Sequence, residues 1–184
     1  MQLDELEAVG NAPKTSGTVR LIVRRPAVDE REVVQETQLD ELEGLVGDTW
    51  RSRGSRSTPD GSANPEAQIT VMNAQAAAFF AGDEERWALA GDQLYVDFDI
   101  SEQNLPAGAR LRIGEAEIEV SAKPHTGCRK FSARFGKEAL QLVSSPEGRA
   151  LRLRGMNARV TKAGTVRVGD RIELSRRSAP GVAD

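Results

Sequence analysis

The feature that most constrains this chain is a set of short runs in which apolar and polar residues alternate, separated by turns that carry glycine. Val19, Leu21 and Val23 alternate with Arg20, Ile22 and Arg24. Leu94, Val96, Phe98 and Ile100 alternate with Tyr95, Asp97 and Asp99. Leu111 and Ile113 alternate with Arg110 and Arg112, Gly114-Glu115 offers a tight turn, and Ile118, Val120 and Ala122 resume the pattern. Towards the end, Ala158 and Val160 lead to a turn at Lys162-Ala163-Gly164. Val166 and Val168 then run to Gly169-Asp170, and Ile172 and Leu174 follow. A period of two puts one face of a strand on a core and the other in water. Strands this short, joined by such turns, predict a mainly β fold, a barrel or a sandwich.

Helical signals are fewer. Asn73 is placed to cap a helix through Ala74 to Phe80 that Gly82 ends, and Asp83 to Trp87 reads as another short helical turn. Beyond residue 128, Phe131, Phe135, Ala139, Leu142 and Val143 trace one apolar face, with Gly136 weakening its middle. Residues 1–17, acidic and then rich in small and turn residues, read as a flexible N-terminal tail, and 177–184 as a flexible C-terminal one. Between them, 18–176 form one domain, within the size range of a single core. Gln-Leu-Asp-Glu-Leu-Glu occurs at 2–7 and again at 38–43, and reads as a short acidic helical turn used twice, the alternative being a docking motif.

Composition narrows the function classes. The net charge is −3 and aromatic residues are 4% of the chain, so neither a broad basic field nor a stacking platform for nucleic acid is expected. No apolar run is long enough to span a membrane, and Met1 to Glu7 lacks the basic start and apolar stretch of a signal peptide. With a single cysteine no internal disulfide forms, and a cytoplasmic protein is expected.

The segment Lys123-Pro124-His125-Thr126-Gly127-Cys128-Arg129-Lys130-Phe131 holds the only cysteine and the only histidine, three positions apart. It follows a strand and precedes a helix. A cysteine at a helix start meets exposed N–H groups and the positive end of the dipole, which favour its thiolate, and Arg129 and Lys130 add charge. The thiolate attacks sulfur and carbon centres and ligates soft metals. The plain alternative is that Cys128 is a small buried hydrophobe and His125 a loop residue. A structural zinc site wants four Cys or His ligands, and a cysteine hydrolase needs an oriented Cys–His pair that local spacing does not provide.

A second feature is Trp50-Arg51-Ser52-Arg53-Gly54-Ser55-Arg56-Ser57-Thr58-Pro59-Asp60-Gly61, where three arginines alternate with small residues. Arginine forks and serine hydroxyls suit a phosphate or another anion; the alternative is a mobile surface loop. The common nucleotide-binding glycine motifs are missing. Asp97 and Asp99 read as the solvated face of a strand rather than as paired catalytic carboxylates.

Four stretches together resemble the MOSC domain, named for the C-terminal domain of molybdenum cofactor sulfurase. Gly44-Leu45-Val46-Gly47-Asp48 is similar to an early Gly-Asp turn. Gly91 to Ser101, running into Asn104-Leu105-Pro106-Ala107-Gly108 and Leu111-Arg112-Ile113-Gly114, is similar to the central block. Pro124-His125-Thr126-Gly127-Cys128-Arg129-Lys130-Phe131 resembles the cysteine motif. Gly155 to Val160, then Gly164, Val166 and Val168-Gly169-Asp170, resemble the closing hairpins.

The resemblance implies a MOSC-type β-barrel with a few short helices, and it aligns Cys128 with the family's cysteine. That cysteine carries sulfur as a persulfide or ligates molybdenum of the pterin cofactor, molybdopterin, in oxidoreductases that reduce N-hydroxylated substrates. Cys128 and His125 are then the expected catalytic residues, with Cys128 the metal ligand. On their charge and their nearness to these motifs, Arg129, Lys130, Arg51, Arg53 and Arg56 are the expected cofactor-binding set. A redox partner or a sulfur-donor protein is implied, or else a non-catalytic binding module; nucleic acid and membrane are not expected partners. The Gly-Asp turn is followed here by an Arg/Ser loop where relatives carry a histidine-containing segment. A chain of 184 residues leaves no room for an aminotransferase-like domain, so a small stand-alone member without pyridoxal phosphate is expected.

Overall fold

A computed structural model describes residues 3–175. Eleven strands are present among them: β1 Ser16–Arg24, β2 Glu32–Val34, β3 Glu36–Asp40, β4 Gly44–Leu45, β5 Ile69–Asn73, β6 Leu94–Asp97, β7 Arg110–Ile113, β8 Ala116–Val120, β9 Met156–Lys162, β10 Gly164–Arg167 and β11 Arg171–Leu174. Helices α1 Leu3–Gly10, α2 Trp50–Arg53, α3 Ala74–Ala81, α4 Arg129–Phe135, α5 Lys137–Ser144 and α6 Pro146–Ala150 lie between or before them, with 3-10 segments at Pro65–Ala67 and Glu84–Ala90.

The larger sheet runs β11-β7-β8-β9-β5-β6-β1-β2, and a further pairing of Ser16–Thr18 with Arg171–Glu173 joins β1 to β11. Seven strands therefore close into a barrel, one of the two architectures the alternation leaves open and the one the family resemblance implies, and β2 extends β1 beyond the closure. All pairings are antiparallel except β5 with β6, whose crossover carries α3 and the second 3-10 segment over the outside of the wall. A smaller sheet, β10-β3-β4, adds Leu39, Leu45 and Val166 to the barrel core. The closing segment is thus not a run of hairpins: the chain leaves the barrel after β9, pairs β10 with β3, and returns as β11.

The strands divide two hydrophobic clusters. Val19, Ile22, Leu94, Val96, Phe98, Leu111, Ile113 and Ile118 fill the barrel. Leu21, Val23, Met72, Tyr95, Phe131 and Leu153 pack outside it, beneath the helices. Full burial of a side chain of this size contributes about 1.5–3 kcal/mol.

Two expectations change here. Val19 and Leu21 do not share a face, because the register slips between them opposite β6, and a one-residue slip moves the following side chains across the sheet. Nor is β6 solvated on one side: Tyr95 is fully buried under the helices, where its hydroxyl donates to Trp87 O at 2.7 Å, and Asp99 is buried too. β7 and β8 do keep one exposed or half-exposed face, as read from the sequence.

The helical signals are realised in detail. Asn73 Oδ1 accepts from the N–H groups of Gln75 and Ala76 at 2.7 and 3.0 Å, capping α3. Gly136, at φ +92°, separates α4 from α5. Residues 1–17, read as a tail, contain α1 and the start of β1, and Val9 is buried against the outer cluster. The repeated hexapeptide takes two structures. Its first copy lies mostly in α1, whereas its second enters β3 and then turns, with Asp40 Oδ1 accepting from Leu42 and Glu43 N–H. Pairing with β10 overrides local preference there. The expected tail at 177–184 lies outside the described residues.

Candidate functional site

Cys128 is the residue immediately before α4, in extended conformation, and it is exposed. This removes the reading of it as a buried hydrophobe. It stands on the wall of a cleft of about 570 Å³. The segment after β1 (Arg25, Ala27, Val28, Asp29, Arg31) forms one lip, α2 with Thr49 forms another, Ala90 and Gly91 contribute from the end of the second 3-10 segment, and α4 supplies Lys130, Phe131 and Arg134.

Six cations, Arg25, Arg31, Arg53, Lys130, Arg134 and Arg154, line this cleft against a single lining carboxylate, Asp29. Four of them are held by buried or backbone acceptors, Arg25 and Arg154 by buried carboxylates and Arg31 and Arg134 by main-chain oxygens. Arg25 lies bidentate on Asp48, Nε to Oδ2 at 2.7 Å and Nη2 to Oδ1 at 2.9 Å. The Asp48 side chain is wholly buried and also accepts from the N–H groups of Arg25 and Trp50. The Gly-Asp turn therefore sets both Arg25 and the start of α2. Arg134 donates to Leu89 O at 2.7 Å, and Lys130 reaches Asp29 at 2.7 Å. Arg31 and Arg53 make no ion pair among the described residues. Burial and then the neighbouring guanidiniums push both below the usual arginine value: Arg134 and Arg25 act on Arg31, and Arg25 on Arg53. They stay charged, and the Arg31 Nε is buried without a partner.

Beside the cleft, buried Asp92 and Arg154 meet half-buried His125. Asp92 Oδ1 meets His125 Nε2 at 2.9 Å, and Asp92 Oδ2 accepts from Arg154 Nη1. Arg154 also donates to Ala90 O at 3.0 Å and lies over the Phe131 ring, its guanidinium carbon 5.1 Å from the centroid. Burial opposes the Asp92 charge, but Arg154 and His125 hold the carboxyl below the usual carboxylate range. Burial, and then the charge of Arg154, push the His125 imidazole below its ordinary value against the pull of Asp92.

The expected residues are thus partly brought together. Cys128, Arg53 and Lys130 share the cleft. Arg51 turns to Glu43, while Arg56 and Arg129 are exposed and lie off the cleft wall. His125 and Cys128 line different cavities, and among the described residues no hydrogen bond joins them. The arrangement is a thiol beside a cationic cleft, not an imidazole-activated nucleophile. Sequence reasoning missed Arg25, Arg31, Asp92, Arg134 and Arg154. The available signal was charge set in apolar runs, as in Ala88-Leu89-Ala90-Gly91-Asp92 and Leu151-Arg152-Leu153-Arg154-Gly155. Among the described residues no group of three or more His, Cys, Asp or Glu converges to hold a bare metal ion, and no helix is long and apolar enough to cross a membrane.

A family model for the MOSC domain matches residues 60–173. Among solved structures, one described as a hypothetical protein is 24% identical, with TM-score 0.63, over 97% of this chain and 74% of its own. YiiM from Escherichia coli is 23% identical, with TM-score 0.57, over 88% of this chain and 71% of its own. The YUAD protein from Bacillus subtilis is 14% identical, with TM-score 0.61, over 86% of this chain and 95% of its own. At these identities the likenesses establish the fold. No curated protein matches the chain.

Proposed function

The chain belongs to the MOSC domain family, and on that premise we propose that its cationic cleft binds the molybdenum cofactor, with Cys128 Sγ as a ligand of the metal, in an oxidoreductase acting on N-hydroxylated substrates. The observation that carries this reading is the coincidence of the only thiol with a cleft lined by six cations and one carboxylate. A soft sulfur donor and an anion-binding wall are the two things a metal on a phosphate-bearing pterin requires.

The residues present fit that group. Cys128 offers one soft sulfur donor, which suits a metal whose other ligands come with a cofactor. Arg53, exposed and without an ion pair among the described residues, is free to meet a phosphate, and Arg31 adds its charge to the wall. Arg25 and Arg134 shape the wall, fixed by Asp48 and by Leu89 O. Molybdenum in the cofactor supplies the two-electron redox chemistry. Conversion of R–NHOH to R–NH2 and water consumes two electrons and two protons, so a redox partner is required. His125, turned to Asp92, positions the loop that presents Cys128 and does not handle a proton at the sulfur.

A second reading is a sulfur carrier using a Cys128 persulfide, and the exposure of Cys128 favours it, because a donor protein can reach the thiol. The deciding experiment is elemental analysis of protein purified from cells able to make the cofactor, comparing wild type with Cys128→Ser. Molybdenum near one atom per chain, lost in the variant, is the expected result. No molybdenum in either rejects the reading and leaves the carrier, for which intact mass would then show one added sulfur atom.

A further inference from the structure

On the far side of Arg154 lies a second cavity, of about 390 Å³, whose walls exclude Cys128. It is built from the segment joining β8 to α4, from α5 and α6, and from the stretch Arg152–Asn157. Its charge is unbalanced. Lys123, Arg149 and Arg152 line it and make no ion pair among the described residues, while Glu102 is its one lining carboxylate. Elsewhere on the barrel the pattern is opposite: Arg110, Arg112, Arg159 and Arg167 each sit against a glutamate. Unmatched cations gathered on a concave wall repel one another, and an anion relieves that repulsion.

Two further observations point to a ligand. The Ser121 hydroxyl is buried in this wall with no hydrogen-bond partner, a rare state for a buried polar group. His125 also lines the cavity, and with Nε2 engaged by Asp92 its Nδ1 has no protein partner among the described residues. Arg152 is anchored, donating from Nη1 to Ile100 O and Leu105 O at 3.1 and 2.8 Å, so it is a fixed rather than a wandering charge. Pro124, Val143 and Met156 give the cavity an apolar side. Its volume lies in the range of small-molecule sites.

We propose that this cavity is a second binding site, for a small phosphate-bearing molecule, separate from the Cys128 cleft and sharing with it only the Arg154 wall. Lys123, Arg149 and Arg152 hold the phosphate, Ser121 Oγ and His125 Nδ1 are hydrogen-bonding groups of the wall, and the apolar side accepts the body of the ligand. This goes beyond the cofactor reading and does not depend on it.

The single histidine makes the site directly observable. Metal-free Cys128→Ser protein is titrated with inorganic phosphate and, separately, with phenyl phosphate, while the His125 imidazole is followed by NMR. The expected result is a saturable His125 shift, with the imidazole pKa moving up because a nearby anion favours the imidazolium. Tighter binding of phenyl phosphate identifies a phosphate monoester as the ligand class, and equal binding identifies free phosphate. Lys123→Gln and Arg149→Gln, both without structural ion pairs, each weaken binding about tenfold, the loss of roughly one charge-assisted hydrogen bond. No saturable shift with either probe overturns the proposal. So does a shift that survives both substitutions and disappears in Arg53→Gln, which would put the anion in the cleft. Because the titration uses no molybdenum and no thiol, its failure and that of the cofactor reading are read separately.

Discussion

Asp92 and His125, thirty-three positions apart, meet at 2.9 Å with the carboxylate wholly buried. The same carboxylate takes Arg154 from the segment before β9, so one buried charge ties together three stretches of chain: the start of β6, the cysteine loop, and the wall shared by two cavities. The thiol and its cationic surroundings are thereby fixed to the barrel rather than left on a loose connection.

Replacing Asp92 with Asn is expected to destabilise the protein by about 3–5 kcal/mol, because Arg154 keeps its charge in a buried place with its counter-ion gone. Urea unfolding measures it. The His125 pKa, read by NMR in the folded variant, moves lower still, since Asp92 is what pulls it up.

Acid weakens the fold in two steps. His125 has a folded pKa below its unfolded value of 6.5, so between those two values the unfolded chain binds the extra proton, and stability falls as pH drops through that window. The slope is at most about 1.4 kcal/mol per pH unit. Asp92, also depressed, contributes stability that is present above its ordinary value of 3.8 and lost as pH falls through its folded one. Unfolding free energies of wild type and His125→Gln, compared from pH 7.5 downwards, should differ in slope near pH 6.5. Parallel curves there refute the assignment.

Gly155 is at φ +101°, and a Cβ on it would stand 2.6 Å from Val71 O, 3.1 Å from Asp92 Oδ1 and 3.2 Å from His125 Cδ2. Val71 belongs to β5, paired there with β9, so its oxygen is not free to retreat. Gly155→Ala is expected to cost about 1–3 kcal/mol for the backbone alone, with the clash added, and to shift the His125 resonances. A variant with wild-type melting temperature and spectrum would show that the approach is looser than described.

The two kinds of cleft arginine separate in mutation. Arg25→Gln strands the buried Asp48 carboxylate and is expected to lower stability by about 3–5 kcal/mol. Arg53→Gln breaks no ion pair and is expected to leave stability within about 0.5 kcal/mol, while reducing molybdenum retention. Thermal unfolding together with elemental analysis distinguishes them. Equal stability losses would contradict the division between structural and ligand-facing cations.

Much of the scaffold was legible in the sequence because it obeys local rules. Asn73 before an alanine-rich run, Gly136 within an apolar stripe, and the β7–β8 alternation each carry their own signal over a few residues. The cleft was legible only at Cys128, Arg53 and Lys130. Arg25, Arg134 and Arg154 lie far apart in the chain and meet only through barrel closure and the packing of α4, which no local window reports. The slip between Val19 and Leu21 was hidden for a related reason: an unbroken alternation looks the same whether or not the partner strand stays in register.

Closure of the barrel rests on β1 and β11, the first and last strands of the described chain. During synthesis, then, β1 and β7 wait with a bare hydrogen-bonding edge each until residues 171–174 have left the ribosome. An unpaired edge of that kind invites pairing with another nascent chain. The interval between emergence of β9 and arrival of β11 therefore leaves two edges open to such pairing, and β11, though it supplies none of the cleft wall, is the strand that covers both.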